Sequence, residues 1–439
     1  MNIEQSIART LPINRGRSWG LRRLLRLVEF VAILAAAIGL LGRSAIDVNG
    51  ATWMTINHQV AGWGWDLVGW EAAAIASKVR AGVSQPVQHL DATARAEVVR
   101  DYAARAQRIG EMEGRINGLA AASGSQITPE IADLQTKIDG LRHEQHLRRP
   151  AVEQIIEGQV GDQLATAGLA IGNTVVPPVL FTFSEPPRKL IVSPRNRIDT
   201  AYWAMLDPEL PADARERIET AIYANENLSA YVTNIGGLGA FPTLVIDRGA
   251  LNWILSTVAH EWVHNYLTLF PLGLSYGQSA DLTILNETVA DIVGDEIGAA
   301  VIAQQYPELA PPPIADAAVG EPAATASPVF DFAREMRHTR EITDLFLGLG
   351  RVADAEEYME IRRLLFVENG YNLRKLNQAY FAFHGNYGTG AAASSPIGPD
   401  LLRLRALSPD LRTFLETVRW FTSADDLTHA LIEREAESE

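Results

Sequence analysis

Two stretches in the first third of the chain repeat apolar residues at helical spacing. Between residues 91 and 121, apolar side chains recur at intervals of three, four and seven residues among charged ones, which predicts an amphipathic helix. The segment ASGSQ (residues 122–126) interrupts the pattern, and Thr128 and Pro129 then suit the N-cap and first position of a second helix. The apolar stripe of this second helix consists of Ile131, Leu134, Ile138 and Leu141. We predict an antiparallel helical hairpin. Its two helices are expected to pack against each other, and a partner protein that binds the hairpin is the alternative.

A basic segment and an apolar run lie before these helices. Residues 1–28 contain one acidic residue, Glu4, and six arginines. The arginines are Arg9, Arg15, Arg17, Arg22, Arg23 and Arg26. The apolar run FVAILAAAIGLLG follows at residues 30–42. Arginines before an apolar run are typical of a cytoplasmic N-terminus followed by exported chain. We therefore predict a basic cytoplasmic segment over residues 1–23 and a transmembrane signal-anchor helix over residues 24–42.

Two other interpretations of the apolar run stay open. Arg26 and Glu29 precede the run, and their side chains can reach the membrane interface. The effective length of the span is then about 18 residues. A cleaved signal peptide is the first alternative, because GRSAI (residues 42–46) offers small residues near a possible cleavage site. The second is a buried helix of a soluble protein. Residues 43–150, which include the hairpin, are predicted to form a helical stalk.

A β-rich section follows the hairpin. The stretch PPVLFTFSEPPRKLIVSPRN (residues 177–196) predicts two strands around a Glu-Pro-Pro-Arg turn. The stretch FPTLVIDRG (residues 241–249) predicts another strand, and the glycine-rich NIGGLGA (residues 234–240) precedes it. After Gly249 the pattern is helical, except for a Pro- and Ala-rich loop at residues 307–328.

Composition and charge narrow the classes of protein that this chain can represent. Apolar residues make up 47% and charged residues 21% of the chain, which is typical of a folded globular protein. The formal net charge of −15 argues against a nucleic acid as main partner. The chain has no cysteine, so a disulfide, a thiol nucleophile and a thiolate ligand are all excluded. Any metal site must therefore use histidine, aspartate and glutamate.

The strongest chemical signal lies in the predicted helix STVAHEWVHNYL (residues 256–267). His260 and His264 are four residues apart, so both imidazoles face the same side and can hold one zinc ion. Zinc lowers the pKa of a bound water towards neutrality, and Glu261 can approach that water from the side and accept its proton. The pattern predicts a Zn²⁺ site with Glu261 as general base. The alternative is a buried helix that carries two incidental histidines.

A third ligand is expected on a second helix, LTILNETVADIVGDEIGAAV (residues 282–301). Zinc sites of hydrolases use three protein ligands and keep one position open. Glu287 and Asp291 are four residues apart and share one face of this helix. We predict Glu287 as the third ligand and Asp291 as the acceptor of the free ring N–H of a ligand histidine. Two incidental histidines would give no reason for this second pair.

HEWVH and the downstream NETVAD together resemble the gluzincin, or thermolysin-like, zinc metallopeptidases. The resemblance covers residues 236–301. It implies the same ligands and the same base, and it gives Asn286 a supporting role beside Glu287. The implied fold is α+β, with a zincin-like peptidase domain over residues 151–439. This domain would have a small β-sheet lobe, a helical lobe and the zinc ion in the cleft between them.

The resemblance also implies two further parts of an active site. An edge strand before the zinc helix would pair with the substrate backbone, and GAFPTLVI (residues 239–246) is in the right place, although an ordinary core strand is the alternative. Gluzincins also use a tyrosine or histidine to stabilise the oxyanion. His384 and Tyr387, in YFAFHGNYGTG, are candidates for this catalytic role, and Tyr276 between the two zinc helices is another.

These features predict a membrane-anchored metallopeptidase whose catalytic domain lies outside the cytoplasm, or is secreted if the signal is cleaved. Its substrate would be a peptide or protein. Glu261 would activate water and return the proton to the leaving amine. The alternative is a membrane-tethered scaffold with a structural or vestigial zinc site, which would have no use for Glu261 as a base. Amino- and endopeptidase activity both stay open, because the sequence assigns no acidic anchor for a substrate amine.

Overall fold

The computed structural model describes most of the chain beyond the predicted membrane helix. The described residues are 50–84, 87, 89–122, 128–310 and 330–438. The predicted cytoplasmic segment, the predicted membrane helix and most of the Pro- and Ala-rich loop lie outside them. Among the helices of the described ranges, none is both long and apolar enough to cross a membrane.

The described chain has a mixed α+β architecture, as predicted, with many helices and three small sheets. The first helices are α1 (Gly50–Val60), α2 (Leu67–Ser84), α3 (Ala92–Ala122) and α4 (Pro129–Thr166). The middle section contains β1 (Ala170–Ile171), β2 (Thr174–Val175), β3 (Phe181–Phe183), β4 (Arg188–Pro194), β5 (Tyr202–Leu206), α5 (Ala212–Glu226), β6 (Leu228–Asn234), β7 (Gly237–Leu238) and β8 (Thr243–Val245). The helices after it are α6 (Leu251–Leu267), α7 (Pro271–Leu274), α8 (Ala280–Gln305), α9 (Phe332–Gly348), α10 (Val352–Glu368), α11 (Gln378–His384), α12 (Ile397–Leu407), α13 (Leu411–Val418) and α14 (Ala424–Ser438).

Helices α3 and α4 form the antiparallel hairpin that the apolar pattern predicts. Thr128 caps α4 by accepting a hydrogen bond from the Ile131 N–H at 3.3 Å, and Pro129 follows in the first turn. Ion pairs connect the two helices. Residues nearer the end of α3 pair with residues nearer the start of α4, so the two helices are antiparallel. These pairs are Arg115–Glu130, Arg142–Glu113 and Arg105–Glu144.

Helix α4 continues past the domain boundary that we predicted between residues 150 and 151. Pro150 lies inside the helix, and Val152 and Ile156 beyond it are buried in the same core as Val99 and Tyr102 of α3. Helix α4 is thus continuous across residue 150, and its buried residues beyond Pro150 pack in a core that α3 also lines. The described residues belong to one compact unit.

The larger sheet, in the order β5-β4-β6, is antiparallel and has β4 at its centre. Successive side chains of a strand point to opposite faces. Leu190 and Val192 therefore join a core with α1 and α5, while Ile191 packs on the other face against α11. Lys189 shares this second face with Ile191.

The smaller sheet has the order β3-β8-β7, with β3 parallel and β7 antiparallel to β8. The two strands predicted within residues 177–196 form as β3 and β4, but they belong to different sheets. The edge strand predicted at residues 239–246 forms as β8, which is the middle strand. Because β8 pairs on both sides, the edge strands of this sheet are β3 and the short β7.

Helices α6 and α8 approach closely because α8 presents glycines to α6. A Cβ atom at Gly294 would lie 2.8 Å from the Ser256 carbonyl oxygen and 3.0 Å from His260 Cβ. At Gly298 a Cβ atom would lie 2.9 Å from Ser256 Cα. The core around this contact includes Leu255 and Val293, both fully buried. Each such side chain contributes about 1.5–3 kcal/mol of transfer free energy, which holds the two helices together.

Replacing Gly294 with alanine is expected to destabilise the protein by about 1–3 kcal/mol, because the new methyl group meets the backbone of α6. The matched control is Gly140→Ala in the exposed middle of α4, where an added Cβ has no atom within 4 Å. There alanine should stabilise by about 0.5–1 kcal/mol, since a helical glycine loses more chain entropy on folding. Urea unfolding measures both. Equal effects of the two substitutions would contradict the close helix contact.

Candidate metal centre

Helix α6 presents His260 and His264 on the face towards α8 and anchors its opposite side in the core. Trp262 is 1% exposed, and its Nε1–H donates a hydrogen bond of 2.8 Å to the Pro177 carbonyl oxygen. This contact fixes the rotation of the helix about its axis. The two histidines, one turn apart, therefore point away from the core towards α8.

Glu287 of α8 completes a group of three side chains that could hold a metal ion. The two histidine Nε2 atoms are 3.0 Å apart. Glu287 Oε2 lies 3.5 Å from His260 Nε2 and 3.6 Å from His264 Nε2. The ligand atoms of the three residues thus converge on one point. Within the described part of the chain, His260, His264 and Glu287 are the group of side chains that could hold a metal ion.

The outer ring nitrogen of each histidine has its own acceptor. His260 Nδ1 lies 3.0 Å from Asp291 Oδ1, and His264 Nδ1 lies 2.8 Å from Asn286 Oδ1. The Asn286 amide nitrogen donates to the Leu272 carbonyl oxygen at 3.3 Å, so its oxygen faces His264. His264 therefore carries its proton on Nδ1, which leaves the Nε2 lone pair for a metal. Asp291 gives His260 the same tautomer and raises its basicity.

Tyr276 binds the Glu287 carboxylate and does not stand free beside the group. Its hydroxyl donates a hydrogen bond of 2.6 Å to Glu287 Oε1, which leaves Oε2 facing the histidines. Burial alone would raise the pKa of Glu287. Before a metal binds, the attraction of His264 in its protonated form and hydrogen bonds from both histidines hold this pKa well below its usual value. Glu287 is thus ionised and oriented, as a metal ligand must be.

Glu261 lies beneath the edge strand β7. Its side chain is 6% exposed, and a Cβ atom at Gly237 would lie 2.3 Å from Glu261 Oε1. Glycine at this position of β7 is therefore what leaves room for the carboxylate. Burial raises the pKa of Glu261, and the protonated forms of His260 and His264, which exist before a metal binds, oppose this rise. A raised pKa suits a general base near neutral pH.

The structure separates the two residues that we predicted as alternatives for oxyanion stabilisation. The Tyr387 ring centroid is 6.4 Å from that of His260. Gly388, the next residue, donates its N–H to Thr288 Oγ1 at 3.0 Å, which ties this loop to α8 beside Glu287. The His384 ring instead packs on Tyr380 at 4.2 Å, and burial lowers its pKa to about 4. Of the two, Tyr387 has its ring near His260 and His384 has its ring against Tyr380, and both stay candidates for the oxyanion role.

Lys189 of β4 is a site residue that our sequence analysis missed. Its ammonium group is attracted by Glu287 and Glu261, and burial lowers its pKa. A signal was present in the sequence: in RKLIVSP the lysine occupies the strand face of the apolar Ile191, where a charged residue is uncommon. The sequence does not show that this face of β4 lies near Glu261 and Glu287.

The chain matches no protein-family model, no curated protein and no solved structure. The site itself combines three converging ligand atoms, the adjacent buried Glu261, the edge strand β7 and the nearby Tyr387.

Proposed function

We propose that this protein is a zinc-dependent metallopeptidase of the gluzincin type, with a zincin-like arrangement of strand, zinc helix and glutamate helix. The observation that carries the proposal is the convergence of His260, His264 and Glu287, with Glu261 buried next to them. A scaffold with a structural site would need neither an open coordination position nor a buried carboxylate beside it.

The geometry of the three donors fits zinc. With bonds of about 2.0–2.1 Å and tetrahedral angles, ligand atoms around one Zn²⁺ are about 3.3 Å apart. The distances here are 3.0, 3.5 and 3.6 Å. Two imidazoles and one carboxylate are the donor set of many catalytic zinc sites, and three protein donors leave one position open. A bound Zn²⁺ would supply a water of lowered pKa and polarise the carbonyl of the bond to be cleaved.

The side chains around the group would each perform one step of peptide hydrolysis. Glu261 would accept a proton from the attacking water and pass it to the amine of the leaving product. The Tyr387 hydroxyl would donate to the negative charge that develops on the former carbonyl oxygen. Asp291 and Asn286 would keep the two histidines oriented, and Tyr276 would do the same for Glu287.

The edge strand β7 would hold the substrate. It pairs with β8 on one side, and as an edge strand it offers its other side to an extended peptide. Because Gly237 of β7 lies directly against Glu261, a peptide paired with this strand would pass over the general base. The arginine-rich N-terminus and the apolar run would anchor the enzyme in the membrane, with the active site outside the cytoplasm.

Metal content and peptide cleavage of the full-length protein test this proposal together. We expect about one zinc ion per chain by elemental analysis, cleavage of a peptide library, loss of cleavage after chelation and recovery on adding Zn²⁺. About one zinc per chain without any cleavage would favour the tethered scaffold. A protein that takes up no zinc, even after reconstitution, would overturn the proposed site itself.

A further inference from the structure

The ammonium group of Lys189 lies between two aromatic rings. Its Nζ atom lies 5.5 Å from the ring centroid of Phe383 and 5.7 Å from that of Trp203. These distances are in the range of cation–π contacts. Trp203 is 43% exposed whereas Phe383 is 7% exposed. The Trp203 side of the ammonium group therefore faces solvent, and the Phe383 side faces the core.

Lys189 also differs from the other lysines of the described chain in its partners. Lys78, Lys137 and Lys375 each form an ion pair of 2.6–2.7 Å with a carboxylate. Among the described residues no carboxylate lies within 4.0 Å of the Lys189 ammonium group, and no side-chain hydrogen bond of this group is formed. Aromatic rings offset part of the cost of removing an ammonium group from water, but they accept none of its hydrogen bonds with the strength of a carboxylate.

A series of ring contacts connects Lys189 with the metal group. The Phe383 ring against Lys189 lies 6.1 Å from the Tyr387 ring, which in turn lies 6.4 Å from the His260 ring. The charges of Glu287 and Glu261 act on Lys189, although neither residue pairs with it. A peptide bound at the metal group would therefore pass near Lys189.

We infer that Lys189 binds a carboxylate of the substrate close to the bond that is cleaved. This inference rests on the proposed peptidase function and gives it a substrate class: peptides with a C-terminal carboxylate, or an acidic side chain, near that bond. Trp203 and Phe383 orient the ammonium group, and the substrate carboxylate supplies the missing acceptor. The activity that follows is cleavage close to a carboxyl terminus or an acidic residue, and amidated neutral peptides are poor substrates.

Peptide binding to Glu261→Gln protein loaded with Zn²⁺ tests the inference without requiring hydrolysis. The probes are fluorescein-labelled pentapeptides of one sequence in three forms: the free C-terminal acid, the C-terminal amide, and the amide with glutamate as its last residue. Fluorescence anisotropy gives each Kd. We expect at least one carboxylate-bearing form to bind about tenfold or more tighter than the neutral amide, as for a charge-assisted hydrogen bond. The acid and the glutamate amide then distinguish a terminal from a side-chain carboxylate.

Substitutions at Lys189 in the same background identify the residue responsible. Lys189→Met keeps the length of the side chain and should remove the preference, while Lys189→Arg should keep part of it. The matched control is Lys137→Met, on the exposed hairpin, which should leave the preference unchanged. Equal binding of all three peptides, or a preference that survives in Lys189→Met, would overturn the inference.

Cleavage assays with otherwise wild-type protein separate this result from the proposed function. Loss of the carboxylate contact should raise KM for the carboxylate-bearing peptides more than it lowers their kcat. A fall in kcat on all peptides at unchanged KM would assign Lys189 to the chemical step and refute the anchor. A carboxylate preference in binding, with no cleavage of any peptide, would keep the anchor and refute the peptidase.

Discussion

Replacing Glu261 with glutamine is expected to lower the rate of peptide hydrolysis by about 10²–10⁴-fold, the range found for a positioned general base. Glutamine has the same shape but cannot accept the proton, and it fits the same space beneath Gly237. The proposed metal ligands are His260, His264 and Glu287, so metal content should stay at the parent value. The measurement is kcat together with elemental analysis on the same preparation.

The control for this substitution is Glu357→Gln, an exposed glutamate on α10. It makes the same chemical change away from the metal group and should leave both rate and metal content unaltered. Full activity of Glu261→Gln would show that another group is the base. Loss of metal from Glu261→Gln would instead assign the carboxylate to the coordination sphere.

Replacing Glu287 with alanine should have the largest effect on metal binding. It removes one of three donors and the only carboxylate among them, and it leaves the Tyr276 hydroxyl without its acceptor. Asp291→Asn is the graded comparison, because it changes an acceptor of His260 and not a donor to the metal. Loss of such an outer partner costs about 10–100-fold in metal affinity, and Glu287→Ala should cost more. Competition with a chelator of known affinity measures both.

Glu296→Ala on the same helix α8 is the control for Glu287→Ala. It removes the ion pair with Arg405 and touches no metal donor, so metal affinity should equal that of the parent. Unchanged affinity in Glu287→Ala would refute the ligand set. A loss in Asp291→Asn as large as that in Glu287→Ala would show that the orientation of His260 matters as much as the third donor.

Several parts of the site could be predicted from the sequence because they depend on spacing within one helix. His260 and His264 share a face through the helical period, and so do Glu287 and Asp291. The cap at Thr128 and the apolar stripes of α3 and α4 are local patterns of the same kind. Such features need no knowledge of what packs against the helix.

Other parts depend on contacts between residues distant in the chain, and the sequence alone did not predict them. The assignment of β3 and β4 to different sheets, and of β7 rather than β8 to the edge, depends on which strands pair. Tyr387 and His384 are close in sequence, yet the contact of Gly388 with Thr288 ties the loop of Tyr387 to α8 near His260, while the His384 ring lies against Tyr380.

The sequence by itself determined the helical hairpin and which side chains could act as metal donors, since periodicity decides which residues share a face. The tertiary structure decided whether the donors meet. The glycines Gly294 and Gly298 let α8 approach α6 closely, and this approach sets the distance from Glu287 to the histidines. The tertiary structure also brought Lys189 and β7 to the site. Strand pairing joins segments that are distant in the chain, and the sequence of one strand does not indicate its partner.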